Sequence, residues 1–359
     1  MGSWVLANRF GMQKALNYTS EQLRFRGIVG TGGIGTGWFF RLNGNHTLGR
    51  EESRSGRLLD MHDYCKQHII LHYIKVLLGS QFRVIPIGKV GKDDPGRILI
   101  REMENTGFVM DFVREDTESS TLFSFCFLYP DGSGGNLTTD NSASSRVSED
   151  LIREAEAEIK QMGEKGIVMA APEVPIKVRK LLLETGQKCG AFCAASFTRE
   201  EILNDQSLDM LRTIDLLALN REEASALCQK HPQETPPEKL IECCLNLLGN
   251  FNPNMYLSIT CGSEGSYCWD GSKISFFPSC KVKVENTAGA GDAFFSGLLC
   301  GIALGCALSD AQQLATLIAS LSVTSKDTIH KGINRDSLSK FFLHTGISLS
   351  DTVQKLLND

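Results

Sequence analysis

From residue 148 to residue 259 the chain alternates between short apolar runs and stretches with helical spacing of apolar residues. The order reads helix 149–162, strand 166–170, helix 176–185, strand 189–194, helix 199–203, strand 216–219 and helix 221–229. A proline-rich loop at 232–237, helix 239–248 and strand 255–259 complete it. Strands separated by helices cannot pair as hairpins, so each must return by a crossover and lie parallel to its neighbour. The expected fold class is therefore α/β, with helices covering both faces of a mostly parallel central sheet. Sheets of this kind bind ligands beyond the carboxyl ends of their strands.

At 359 residues the chain can form one large α/β domain with an appended element. Apolar residues make up 42% and charged residues 22%, ordinary values for a soluble globular protein. A net charge of −5 provides no general field for nucleic acid or an anionic membrane, so neither is an expected partner. The most apolar stretch, 293–308, is interrupted by Ser296, Gly297, Gly301 and Gly305 and falls short of the ~20 residues of a membrane span. It reads as a buried helix. No charged stub followed by an apolar run opens the chain, so the expected compartment is the cytoplasm. The twelve cysteines then read as reduced thiols, and no Cys-x-x-Cys pair suggests structural zinc.

The first half carries the less regular material. Residues 1–26, with Trp4, Phe10 and Leu16, look like an extension preceding a strand at 25–29. A glycine run from Gly30 to Gly35 leads into Trp38–Leu42 and the turn Asn43-Gly44-Asn45, the signal of a tight hairpin. Helical spacing covers 60–78, Gly79 suits its C-terminus, and a strand follows at 83–87. A β-rich stretch at 121–129 ends in the turn cluster 130–135. The two β-rich patches are expected to project together as a lid, over about 37–49 and 108–140.

The chemistry concentrates in Glu285-Asn286-Thr287-Ala288-Gly289-Ala290-Gly291-Asp292, which opens the apolar helix at 293–304. Small residues let a ligand approach the backbone, and free N–H groups at a helix start favour an anion. A transferring phosphoryl group suits this cradle. Asp292 stands beside it, placed to take the proton of an attacking hydroxyl. A helix cap with a tight turn would explain the same string. Asn220-Arg221-Glu222-Glu223 follows the strand at 216–219 and is also a near-relative of a capping box. Thr260-Cys261-Gly262-Ser263-Glu264-Gly265 follows the strand at 255–259, and its glycines could admit a nucleotide to the strand ends.

Together, in this order, the three strings resemble the signature of the ribokinase-like, or PfkB-type, carbohydrate kinases: Asn-x-x-Glu, Thr-x-Gly-x-x-Gly and Asp/Asn-Thr-x-Gly-Ala-Gly-Asp. Weaker likeness spans about 27–330, including Gly88–Asp93, Gly96, Gly107 and the helix from Ser309, read as capped with Gln312 and ending at Val323-Thr324. The resemblance implies a three-layer α/β/α domain over 27–359 with a small β-rich lid, and phosphorylation of a hydroxyl on a small sugar-like acceptor. It implies Asp292 as the base and Gly289, Ala290 and Gly291 as the anion hole. ATP and Mg2+ would be its cofactors, with Asn220 and Glu223 organising metal and phosphates and Thr260, Gly262, Gly265 and Thr287 lining the nucleotide site. A homodimer stays open.

The chain departs from the family pattern on the acceptor side. The Gly-Gly-x-x-x-Asn sugar-binding string is absent near 60–72, and no aspartate accompanies Gly30–Gly37. Ala195-Ser196-Phe197 stands where many members have an Asp-containing string, and Asn286 replaces a commoner aspartate. The region 50–75 holds Arg50, Arg54, Arg57, His62, Lys66, His68, His72 and Lys75. An acidic or phosphorylated acceptor gripped by Arg54 and Arg57 is one reading; a solvated face balanced by Glu51, Glu52, Asp60 and Asp63 is the other.

Three further readings compete. Gly30-x-Gly32-x-x-Gly35 with Glu51 or Glu52 is formally a dinucleotide fingerprint of an NAD-dependent enzyme, but aromatic residues and a turn follow where a helix should open. A non-catalytic relative could keep the nucleotide half and bind a regulatory ligand. Cys65, His68 and His72 could share a helix face and hold a metal, although the polar edge of an amphipathic helix explains them as well.

Overall fold

The computed structural model describes residues 15–131 and 134–358. Trp4, Phe10 and the Gly132-Ser133 part of the turn cluster lie outside the described residues. In chain order the strands are β1 (Gly27–Thr31), β2 (Gly35–Leu42), β3 (Gly56–Tyr64), β4 (Arg83–Gly91), β5 (Phe112–Asp116), β6 (Leu122–Leu128) and β7 (Gly134–Thr138). They continue as β8 (Gly166–Ala170), β9 (Phe192–Ser196), β10 (Leu216–Asn220), β11 (Tyr256–Thr260), β12 (Ser266–Trp269) and β13 (Ile274–Phe277). The α-helices are α1 (Lys66–Leu78), α2 (Asp94–Thr106), α3 (Glu149–Glu154), α4 (Glu156–Met162), α5 (Ile176–Lys188) and α6 (Asp205–Met210). They continue as α7 (Arg221–Leu227), α8 (Pro237–Leu248), α9 (Ala290–Ala303), α10 (Leu308–Ser322), α11 (Arg335–Phe342) and α12 (Asp351–Leu357).

A nine-stranded sheet runs β13-β12-β11-β10-β9-β8-β1-β4-β5. Its strands pair in parallel from β11 through to β5, and only the β12 and β13 pairings are antiparallel. The side chains of β1 divide between two cores, Ile28 entering one and Val29 the other. On the first side α1, α2 and α9–α12 pack against the sheet; on the second α3–α8 do so, giving the three layers expected of an α/β fold. Chain direction across the sheet reverses at β1, which runs next to β4 on one side and the later β8 on the other. That is where such sheets open a crevice at their carboxyl edge.

A second sheet, ordered β3-β2-β6-β7, joins β2 to β3 and β6 to β7 in antiparallel fashion and β2 to β6 in parallel. Several local expectations give way here. β5 pairs with β4 in the large sheet, so 112–116 is no part of the expected 108–140 lid segment. β3 enters the second sheet instead, and helix α1 begins at Lys66 rather than residue 60. The strand pairing pulls His62 and Tyr64 into an extended ribbon, overriding their helical spacing. The β2–β3 connection also spans 43–55, not a two-residue Asn-Gly hairpin; Asn43 N–H reaches the Ser55 carbonyl at 3.3 Å.

The expected helix 149–162 divides at Ala155 into α3 and α4. Residues 201–203 form only a 3₁₀ turn before α6. Ser309 is not a cap: α10 starts after Ala307, and Gln312 is drawn inward to bond the Ser266 carbonyl at 2.8 Å and Ser275 Oγ at 2.7 Å. Residues 15–26 run along the body, with Leu16 buried and its N–H bonded to the Leu77 carbonyl at 2.8 Å.

Candidate active site

Three adjoining cavities follow the carboxyl edge of the large sheet. The first, about 280 Å³, lies between the second sheet and the body and is lined by Phe39, Asp63, Lys66, Ser124, Glu173 and Asp292 among others. The second, about 220 Å³, reaches across Ser196, Asn220, Glu223, Ser258 and Thr260. The third, about 730 Å³ and mostly apolar, extends past Gly262, Gly265, Val282, Ala319 and Val323. Lys66, Gly289 and Asp292 line both the first and second; Asn220, Thr260, Gly291 and Phe294 line both the second and third.

The Gly289–Asp292 string forms the junction. Gly289 adopts φ +79°, the left-handed conformation that glycine tolerates without a Cβ clash, and α9 begins at the next residue. A Cβ there would lie 2.9 Å from the Thr328 carbonyl oxygen, so the site also demands a close approach. Ala290 N–H is already donated to the Thr287 carbonyl at 3.2 Å, and Ala293 N–H to the Gly289 carbonyl at 2.8 Å. The N–H groups of Gly291 and Asp292 fall in the first helical turn, where no earlier carbonyl is positioned to accept them. A Cβ on Gly291 would meet nothing within 4 Å, so the backbone faces open space.

Burial pushes the Asp292 carboxyl upward, and the ammonium of Lys66, 3.8 Å from Oδ1, pulls it back down. Lys66 in turn is pushed up, chiefly by the charge of Asp292 and then by Glu173 and Glu223. Burial raises Glu173 and Glu223 each to about 7, against the partial counter-effect of Lys66. Such displaced carboxyls gathered at a cleft are a mark of functional sites.

Asn220 and Glu223 form a true capping box: Glu223 N–H donates to Asn220 Oδ1 at 2.9 Å, and Asn220 N–H donates to Glu223 Oε2 at 2.8 Å. The cap fixes α7 at the end of β10 and leaves the pair lining the middle cavity. Thr260 ends β11, and Gly262 and Gly265, at φ +57° and +119°, turn the chain around the mouth of the third cavity. Thr287 reaches the first and third cavities. The motif residues thus converge on one groove.

Arg54 and Arg57 do not join them. Arg54 is folded against its own loop, with Nε 2.7 Å from Glu52 Oε1 and Nη1 2.8 Å from the His46 carbonyl, while Arg57 is exposed on β3. Neither lines the first cavity. Gly35 opens strand β2 rather than a helix, which removes the structural context of a dinucleotide fingerprint. Cys65 precedes α1 as its cap residue, and burial drives His68 and His72 down to about 3. Among the described residues no group of three or more His, Cys, Asp or Glu could hold a metal by itself.

Three further residues of the groove were given no role from the sequence. Glu173 follows β8, sits at φ +77°, and approaches so closely that a Cβ on Gly33 would overlap it. A non-glycine residue held in that conformation beside a cleft is a recognised mark of function. Asp63 lies buried at the end of β3, accepting hydrogen bonds from Ser124 Oγ and Cys126 Sγ. Lys66 is the first residue of α1. The position of Glu173 at the end of a parallel strand was the available signal; Lys66 and Asp63 were noted only as members of the charged 50–75 region, with no role attached to either.

Residues 71–334 match the family described as pfkB family carbohydrate kinase. The chain belongs to that family. Ribokinase from Schizosaccharomyces pombe is 24% identical over 250 residues, covering 68% of this chain and 74% of its own. A ribokinase structure from Giardia lamblia superposes with a TM-score of 0.75 at 17% identity, over 87% of this chain and 98% of that one. An Arabidopsis thaliana ribokinase complexed with ribose and ATP gives 0.68 at 19%, over 90% and 100%. The pfkB-family chain accordingly has the ribokinase-like fold. No helix among the described residues is long and apolar enough to cross a membrane.

Proposed function

We propose that this pfkB-family kinase transfers the γ-phosphoryl group of ATP to a hydroxyl of a small, uncharged sugar or polyol held in the first cavity. The observation that carries the reading is the placement of Asp292 at the junction of the cavities, beside the free amides of the α9 start. The third cavity takes the nucleotide: its apolar wall suits a base, and the Arabidopsis relative is described with ATP. The sites also suit polar ligands, because Ser196 Oγ and Thr316 Oγ1 are buried on these walls without a partner among the described residues.

Asp292 receives the proton as the acceptor oxygen forms its bond to the γ-phosphorus and the bond to the bridging oxygen of ADP breaks. The amides of Gly291 and Asp292 hold the equatorial phosphoryl oxygens, where Gly289 and Ala290 shape the turn that presents them. Mg2+, when bound, would neutralise phosphate charge; Glu223 and Asn220, a carboxylate and a carboxamide, are oxygen donors suited to it, directly or through water. The second sheet acts as a lid over the acceptor, with Phe39, Ser124 and Asn136 on its inner side.

An uncharged acceptor fits better than an acidic one. Asp63, Glu173 and Asp292 face the first cavity, and among the described residues the one cation lining it, Lys66, is paired with Asp292. Carboxyl groups hydrogen-bond to hydroxyls in either protonation state, whereas an added anion would increase the negative charge that burial there already opposes. Pyruvate-kinase-coupled ADP release, measured over neutral sugars, sugar acids, polyols and nucleosides, tests the proposal. Acceptor-dependent release with a neutral polyol is expected. ATP binding without turnover on any acceptor would favour the non-catalytic regulatory relative.

A further inference from the structure

We infer that Arg221 is a positioning residue for the donor nucleotide, holding the loop 261–265 in the shape that walls the third cavity; the inference rests on the kinase reading above, which seats the nucleotide there. Arg221, Gly262, Ser263 and Gly265 all line that cavity.

The loop has little of its own to fix it. Its backbone bonds stay within it: Cys261 N–H donates to the Gly265 carbonyl at 2.8 Å, Glu264 N–H to the Cys261 carbonyl at 3.2 Å and Gly265 N–H to the Gly262 carbonyl at 3.3 Å. Gly262 and Gly265 carry positive φ and bring the widest backbone freedom of any residue type. A Cβ on Gly262 would meet nothing within 4 Å, so the tip stands clear of its neighbours. Among the described residues two side-chain hydrogen bonds tie residues 262–264 to the body. Ser279 Oγ donates to the Ser263 carbonyl on one side, and Arg221 Nη1 donates to Glu264 Oε1 at 2.7 Å on the other.

Arg221 is itself well anchored. It is the first residue of α7, directly after the cap residue Asn220, and its Nη2 donates to the Thr235 carbonyl at 3.2 Å. One guanidinium therefore joins the start of α7, the proline-rich loop and the nucleotide loop. A planar fork of donors suits two oxygens on separate loops, a spread that a lysine ammonium does not hold rigidly. The Arg221–Glu264 pair is neutral as a unit, so it acts by keeping shape rather than by drawing in phosphate. Turning the guanidinium onto a phosphate would leave the Glu264 carboxylate unpaired beside an anionic ligand. A loop already in its bound shape spares the nucleotide the cost of ordering it.

Calorimetric titration with ADP and Mg2+, without acceptor, tests the assignment in the wild type, Arg221→Ala, Glu264→Ala and the double variant. Each single variant is expected to bind ADP about three- to fivefold more weakly, the scale of one partly exposed ion pair. The double variant should match Arg221→Ala within about twofold, because the two side chains act through one contact. With an acceptor present, KM for ATP should rise by the same factor while acceptor KM and saturated kcat stay within about twofold. Glu264 is largely exposed, so its removal does not endanger the fold. Weaker ADP binding in Arg221→Ala with unchanged or tighter binding in Glu264→Ala overturns the assignment, since Arg221 would then meet the nucleotide directly. Additive losses in the double variant overturn it too. So does a lowered melting temperature with ADP affinity unchanged in both single variants, which would leave the pair a stabilising contact only. A wild type that binds ADP but turns over on no acceptor sinks the kinase reading alone, and the affinities still judge Arg221; a wild type that binds no ADP removes both.

Discussion

Asp292 is held between two opposing forces, burial that favours its neutral form and an ammonium that favours its charged one. Replacing it with asparagine keeps shape and hydrogen bonding but removes the carboxylate that the proposed mechanism uses as proton acceptor. Asp292→Asn is therefore expected to reduce turnover about a hundred- to ten-thousand-fold while ATP affinity changes little. Coupled ADP release and nucleotide titration check it, and near-wild-type turnover in a folded variant would end the mechanism. Glu223 raises a subtler question, because its capping bonds are real and could be its whole role. Glu223→Gln retains the capacity to accept from Asn220 N–H. The expected outcome is a higher Mg2+ concentration for half-maximal activity with a melting temperature within a degree or two of wild type; a lower melting temperature with an unchanged Mg2+ curve would assign it to capping alone. The order and spacing of these motif residues made their convergence on one groove legible in the sequence. Lys66 and Glu173 were not legible, because each sits more than a hundred residues from Asp292 and meets it only through the fold.

At the scale of elements, the parallel strands other than β5 and most of the helices between them could be read from apolar periodicity, since a strand buried on both faces has little freedom to be anything else; β5 is half exposed and was read as lid. The second sheet could be read only in outline. β3 mixes exposed and buried positions, and pairing with β2 imposes its strand form. The glycines that interrupt the apolar segment 293–308 acquire a reason too: α9 packs tightly on α10, and a Cβ on Gly297 would run into the backbone of Ala315. Alanine there would gain about 1 kcal/mol of helix propensity but must push the helices apart. Overpacking of this kind typically costs about 1–3 kcal/mol. Gly297→Ala is accordingly expected to lower the melting temperature and also kcat, because α9 carries Asp292 in its first turn. Calorimetric melting and the kinetic assay read both effects, and an unchanged melting temperature would show that the α9–α10 contact yields without cost.

For the whole molecule, collecting buried ionisable groups in one groove makes stability depend on pH in a direction that can be worked out. Glu173 and Glu223 titrate near 7 when folded and near 4.5 when free. Between those values the folded chain keeps protons that the unfolded chain has released. Their contribution is fully present below 4.5 and is lost as pH rises through 7. His68 and His72 act oppositely, since burial lowers them from 6.5 to about 3. Their contribution is present above 6.5 and is lost as pH falls toward 3, so the two pairs offset each other between 4.5 and 6.5. Above 6.5 the histidines fall silent and the carboxyls act alone. The ligand-free protein is therefore expected to lose a few degrees of melting temperature between pH 6.5 and 8, and Glu173→Gln should flatten that fall by removing one of the two titrations. Melting curves for the two proteins, collected in buffers of matched ionic strength, make the comparison. Parallel curves across that window would mean that Glu173 is already ionised in the folded protein at pH 6.5, with Lys66 holding its charge more strongly than burial opposes it.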